Sequence, residues 1–333
     1  MTTLYLDRRD TRLDLEGRAL VLRVAGRREG SVPLHLLERV VMRTNVECGS
    51  ALLARLAAAG VAITLFGGRG GRLQATLVGA AHNDAARRIG QMRRYDDADF
   101  RRRWSRRIVT GKVRGQRRLL VDALVRRPDL RQSLVKAIAA QEQALGRLRL
   151  DPPVDLATLR GIEGAAAAGF FRGYGALFAP DLGFRGRRRR PPPDPVNAAL
   201  SLGYTLLHAE AVQQAHGAGL DPLIGFFHEL DFGRASLACD LVEPLRPQVE
   251  RWVWELFGRE RLRPAHFQRD GDACLLGKEG RARFFAAYEV FARPRRRLLR
   301  RWTQRIARGL ASAAPSAVSG ADPMPETGGS DGT

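Results

Sequence analysis

Lysine is nearly missing from this 333-residue chain, with Lys112, Lys136 and Lys278 the only three among 56 basic residues. The formal charge of +21 is therefore carried almost wholly by arginine, a bias that a GC-rich coding sequence can also produce. Its sign still favours a polyanionic partner, because clustered guanidinium groups recruit phosphates and release their counterions. Cysteine is scarce as well. Cys48, Cys239 and Cys274 are odd in number, far apart and without a CxxC pair, which argues against a disulfide framework and a structural zinc site. No apolar run is long enough to span a bilayer, and MTTLYLDRRD places charge where a signal peptide needs an apolar core. A cytoplasmic protein without membrane association is the expectation. The GGRGG run at 67–71 lacks the Lys-Ser/Thr ending of a phosphate loop and precedes a strand pattern, so it reads as a turn.

What is present changes character near residue 80. Alternation in Thr3–Leu6, Arg12–Leu15 and Ala19–Val24 predicts strands, with Glu16-Gly17 as a hairpin turn. Further strands are expected at Arg39–Met42, Val61–Phe66 and Arg72–Leu77, and one helix at 49–60. Beyond about residue 82 the apolar spacing becomes helical, in segments 82–109, 115–126, 129–149 and 154–178 and again from Val196 to about Leu310. Between them, RGRRRRPPPDP at 185–195 combines helix-blocking prolines with mutually repelling arginines, and predicts an exposed, extended loop. The fold class expected is α+β: a small β-rich N-terminal domain, 1–80, then a larger, mostly α-helical domain, 81–310, and a disordered tail, 311–333.

In this basic chain GFFHELDFGRASLACDLVEPLRP, residues 225–247, sets one histidine before Asp240 and Glu243. Each acid or imidazole has an ordinary reading by itself. Glu163, opening a run of small residues, could be a helix-dipole partner; His228, after an apolar lead-in, could be a satisfied core histidine; Asp240 and Glu243 could be caps beside the kink that Pro244 imposes. Together they form a hard, mainly oxygen-donor set suited to Mn²⁺ or Mg²⁺. A divalent ion would reverse the local negative field, letting phosphate bind among acids, and would support in-line attack on a phosphodiester.

Four blocks in order carry a resemblance: GIEGAAAAGFF around Glu163, RRPPPDPVNAALSLGYTLLHAE, GLDPLIGFFHEL and DLVEPLRP. They resemble the signature blocks of the CRISPR-associated integrase, the Cas-one adaptation endonuclease family, over essentially residues 3–310. The resemblance implies a catalytic set of Glu163, His228, Asp240 and Glu243. Glu163, His228 and Glu243 would ligate Mg²⁺ or Mn²⁺, and Asp240 would support them, directly or through water. It implies that Arg246 meets substrate phosphate, and that Asn197 and Tyr204 lie near the site in a hydrogen-bonding or structural role; His208 and Glu210 are expected to pack. Arg187, Arg188, Arg189 and Arg190 are candidate DNA contacts. It further implies a homodimer, with dimerisation through the N-terminal domain, assembling on a dimer of the small Cas-two protein and on double-stranded DNA. The function implied is insertion of spacer DNA into the repeat array. A repair nuclease using the same metal site, and a purely architectural DNA-binding protein, are the alternatives.

Overall fold

A computed structural model describes residues 2–67, 72–79, 82–150 and 154–312. The alternating segments form β1 (Thr2–Leu6), β2 (Thr11–Glu16) and β3 (Ala19–Val24). Glu16 pairs with Ala19, so the β2–β3 turn falls where Glu16-Gly17 predicts it. The next strand, β4 (Arg27–Pro33), is not foreseen. It is an edge strand exposed at its first five residues, so it shows no alternation, and its turn sets Ala25 at φ +48°, where asparagine or aspartate would have signalled a hairpin. Then come β5 (Leu37–Met42), the short β6 (Val46–Cys48), α1 (Ser50–Ala58), β7 (Ala62–Gly67) and β8 (Arg72–Leu77). Among the described residues the strands make two four-stranded sheets, β1-β5-β7-β8 and β4-β3-β2-β6, around Leu13, Leu20, Val40, Leu56 and Ile63. The turn expected at 67–71 lies outside the described residues beyond Gly67.

The helical part departs from the expected segments in an instructive way. The break falls not at 110–114 but between α2 (Ala85–Asp96) and α3 (Ala98–Arg126), where Asp97 accepts from the Phe100 amide and caps α3. Helix α3 runs unbroken through Gly111 and Gly115, whose missing side chains are a packing requirement. A Cβ on Gly115 would stand 2.8 Å from Pro247 Cγ, and one on Gly111 would stand 3.4 Å from Pro244 Cβ. The glycines thus let α3 lie directly against the segment that carries Glu243.

Helix α4 (Arg131–Arg147) packs on α5 (Leu156–Gly175), whose small-residue run allows the close approach its composition suggests. Helix α6 (Pro195–Gly217), capped by Asp194, is buried on nearly every side and forms the central post of the main core. Helix α7 (Ser236–Val242) passes through one tighter turn at Glu243–Leu245 into α8 (Arg246–Gly258), the fresh start that Pro244 demands.

Two corrections apply to the helical stretch expected from Val196 to Leu310. Residues 218–235 form a loop, and a hairpin of β9 (Phe267–Asp270) and β10 (Ala273–Leu276) precedes α9 (Lys278–Ala311). The Gly271-Asp272 dipeptide is the two-residue turn of that hairpin, with Gly271 at φ +59°. Strands of four residues are too short for their period to show against a helical background. Beyond Ser312 the expected tail lies outside the described residues. Strands and helices are segregated along the chain, the α+β class expected. No helix among the described residues is long and apolar enough to cross a membrane.

Candidate active site

Five segments converge on one place: α3 with Lys112, α5 with Glu163, the 218–235 loop with His228, α7 with Asp240, and the tight turn with Glu243. Glu163 sits two turns inside α5, too deep for the dipole role that a first-turn glutamate would have. Asp240 is fully buried, and its carboxylate is entirely occupied. Oδ2 accepts from the Phe226 and Phe227 amides at 2.6 and 3.0 Å, and Oδ1 accepts from the His228 amide at 3.1 Å and from Nδ1 at 2.7 Å. Four donors saturate a carboxylate, so Asp240 holds the loop and the imidazole rather than offering a free lone pair. With its proton on Nδ1, His228 keeps a lone pair on Nε2, which lies 3.7 Å from Glu243 Oε1.

Glu243 is almost fully buried between three cationic or potentially cationic groups. Arg246 Nε lies 2.8 Å from Oε1 and Lys112 Nζ 2.7 Å from Oε2. Burial pushes this carboxyl up, but Arg246, then Lys112 and His228, outweigh it and hold it down at about 2. Oε2 faces the Lys112 ammonium without closing a hydrogen bond of good geometry. Lys112 Nζ also lies 2.5 Å from Glu163 Oε1. Burial opposes the ammonium, yet Glu243 and Glu163 together raise its pKa. The sequence singles out Lys112 only as one of three lysines and gives it no place in the site, since nothing in its helical neighbours announces two acid partners.

Arg246 stacks over the Tyr204 ring at 4.7 Å, and Tyr204 donates to the buried Glu250 at 2.8 Å. Tyr204 is therefore a floor beneath Arg246. The arginine-rich loop divides. Arg187 is half-buried, donating to Asn197 Oδ1 and Ser201 Oγ and lying over the Tyr204 ring at 5.5 Å, which departs from the exposed loop expected. Arg188, Arg189 and Arg190 are exposed. Asn197 is fully buried; it accepts from Arg187 and from the Arg188 amide and donates to Gly186 and Asp194 carbonyl and carboxylate oxygens, so all its capacity goes to anchoring the loop. Glu210 packs as expected, accepting from Arg39, Arg296 and Tyr288.

His208, expected only to pack, stands beside the site, with Cys239 Sγ 3.9 Å from its Nδ1. Burial lowers its pKa from 6.5 to about 4, and Arg246 and His228 add repulsion. A histidine kept neutral in the fold, but free to protonate when unfolded, stabilises fully above pH 6.5. That contribution is lost as pH falls to about 4, on the order of 3 kcal/mol. Urea unfolding at pH 7, 5.5 and 4 is expected to show a smaller acid loss in His208→Gln than in wild type; equal losses would clear His208 of the effect. Glu243 adds a second, more acidic window, whole above 4.5 and lost as pH falls through about 2.

The family profile described as CRISPR associated protein Cas1 matches residues 4–290. A CRISPR-associated endonuclease Cas1 of Thermodesulfovibrio yellowstonii is 35% identical over 310 residues, covering 92% of this chain and 96% of that protein. The chain belongs to the Cas1 family. Two solved structures share the fold of this family member. A casposase bound to integration product superposes with a TM-score of 0.81 at 18% identity, covering 95% of this chain and 92% of that one. A Cas6-RT-Cas1–Cas2 complex gives 0.80 at 21%, covering 94% of this chain and 35% of the other.

Among the described residues no three His, Cys, Asp or Glu side chains stand together as a ready-made metal cage. The carboxylates of Glu163 and Glu243 instead flank the Lys112 ammonium, and His228 Nε2 faces Glu243 Oε1 at 3.7 Å. The set still fits a hard divalent ion. It combines two carboxylates, one with an unsatisfied buried oxygen, and an imidazole whose Nδ1 is fixed by a carboxylate.

Proposed function

We propose that this protein is a metal-dependent DNA endonuclease and integrase of CRISPR adaptation, in which Glu163, His228 and Glu243 hold Mg²⁺ or Mn²⁺. The observation that carries the reading is the meeting of two glutamates and a carboxylate-oriented histidine in one site that also holds Lys112 and Arg246. The ion would supply Lewis-acid activation of the nucleophile and charge neutralisation at the leaving oxygen. The chain's own residues do the rest. Asp240 fixes the His228 tautomer, and Tyr204 and Arg246 fix Glu243. Arg246 contacts Glu243 through Nε, and its remaining N–H groups are suited to a substrate phosphate. In strand transfer a 3′ hydroxyl oxygen bonds to a repeat phosphorus as the bond to the repeat's 3′ oxygen breaks, and the proton passes to the leaving oxygen. With water as nucleophile the same site is a nuclease.

The partners in this reading are double-stranded DNA, a second copy of the chain and a Cas2 dimer, in the cytoplasm. The family assignment, the casposase fold and the Cas1–Cas2 fold support it. Transfer of a labelled duplex into a repeat-bearing plasmid, with Mn²⁺, Mg²⁺ or chelator and with or without Cas2, tests it. Metal-dependent joining, lost in Glu163→Ala and His228→Ala, is expected. Nicking without joining would favour a repair nuclease, and activity surviving in the variants would sink the ligand set.

Arg188, Arg189 and Arg190 are expected to grip DNA backbone. Their triple alanine variant should weaken binding across sequences and flatten the salt dependence of log K by about 2 to 3, at roughly 0.9 per phosphate contact. An unchanged slope in fluorescence anisotropy titrations would remove the loop from the DNA path. Arg187→Ala should behave differently, losing stability first, since its guanidinium is tied inward.

A further inference from the structure

Lys112 is only 7% exposed, and one nitrogen touches a carboxylate oxygen of Glu163 and another of Glu243. These are the two acids to which the metal-dependent reading assigns a divalent ion, and the following rests on that reading. Metal–oxygen bonds of about 2.0 to 2.2 Å would draw such an ion into the space between the same oxygens, where the ammonium already stands. Two cations cannot share it, because an ammonium and a divalent ion in contact repel strongly and the buried site has little water to screen them. We infer that Lys112 is a built-in counter-ion that holds the acid pair together in the metal-free protein and withdraws when a divalent ion binds.

The choice of side chain fits this task. In a chain that uses arginine for nearly every positive charge, this position has a compact ammonium on a flexible four-carbon stem. One small nitrogen can sit between two carboxylates and swing away, whereas a planar guanidinium is wide and rigid. Gly111 and Gly115 bring α3 close enough to the Glu243 turn for the stem to reach. Arg246 is the second cation on Glu243, so each glutamate has a cationic partner without a metal.

The test compares full-length wild type with Lys112→Met by calorimetric titration with Mn²⁺, and by thermal midpoint in chelator and in Mn²⁺. Removal of a competing cation should tighten Mn²⁺ binding at least tenfold. It should also lower the midpoint in chelator and restore it with Mn²⁺. Equal or weaker Mn²⁺ binding in Lys112→Met would overturn the inference. Should that variant fail to fold even with Mn²⁺, acylation of wild type by a lysine-reactive ester decides, with the exposed Lys136 and Lys278 as internal references. Labelling of Lys112 that rises several-fold on adding Mn²⁺ supports withdrawal, and unchanged labelling overturns it. Wild type that binds neither Mn²⁺ nor Mg²⁺ would sink the metal-dependent reading itself, a result distinct from either outcome for Lys112.

Discussion

Glu243→Gln is expected to lower strand transfer by on the order of a thousandfold while also weakening the fold. The substitution keeps shape and removes one negative charge. In the wild type, Glu243 is the carboxylate shared by Lys112 and Arg246, and both cations are largely buried. Glutamine leaves Lys112 with Glu163 alone and takes from Arg246 its ion pair with Glu243, so positive charge is uncompensated in a poorly solvated place. Breaking a buried pair in this way costs roughly 3 to 5 kcal/mol. A carboxamide is also a poor ligand for a hard cation, so the loss of activity should persist at Mn²⁺ concentrations that saturate wild type. Denaturant unfolding and the plasmid assay measure the two effects on one preparation. Wild-type transfer would show that Glu243 is structural only.

Asp240→Ala should be about as damaging, for a different reason. Three successive amides, from Phe226 to His228, and the His228 imidazole all donate to this one carboxylate. Alanine leaves those donors without a partner in a buried loop, and each orphan carries a desolvation penalty of about 1 to 3 kcal/mol. Relaxation of the loop toward water limits the total to roughly 3 to 5 kcal/mol. His228 then loses both its tautomer and its direction, so activity should vanish even where the variant remains folded. Asp240→Asn should rescue little, because an amide nitrogen would face N–H donors. A stability loss below about 1 kcal/mol in urea would contradict this account.

The acids and the histidine were legible because their residue types are conspicuous in a basic, apolar background, and because four blocks occur in order. Their division of labour was not. Asp240 and Glu243 look alike in DLVEPLRP, three residues apart, yet one turns into three amides and the other faces two cations. The difference comes from the 226–228 loop folding over the start of α7, a contact between segments that no local pattern encodes. Arg187 likewise reads as one of four equivalent arginines until Asn197, ten residues on, captures it.

By itself the sequence determined the α+β class, most strands and helices, and the identity of the chemically capable side chains. Alternation, helical spacing and proline act over a few residues, and so they can be read locally. The tertiary structure alone decided that α3 stays whole through two glycines, since their reason is Pro244 and Pro247 far along the chain. It alone decided that Lys112, 51 residues before Glu163, bridges that acid to Glu243. Charge pairing in a buried site depends on distance in space, and the helix crossing that sets this distance is a property of packed surfaces rather than of any one segment.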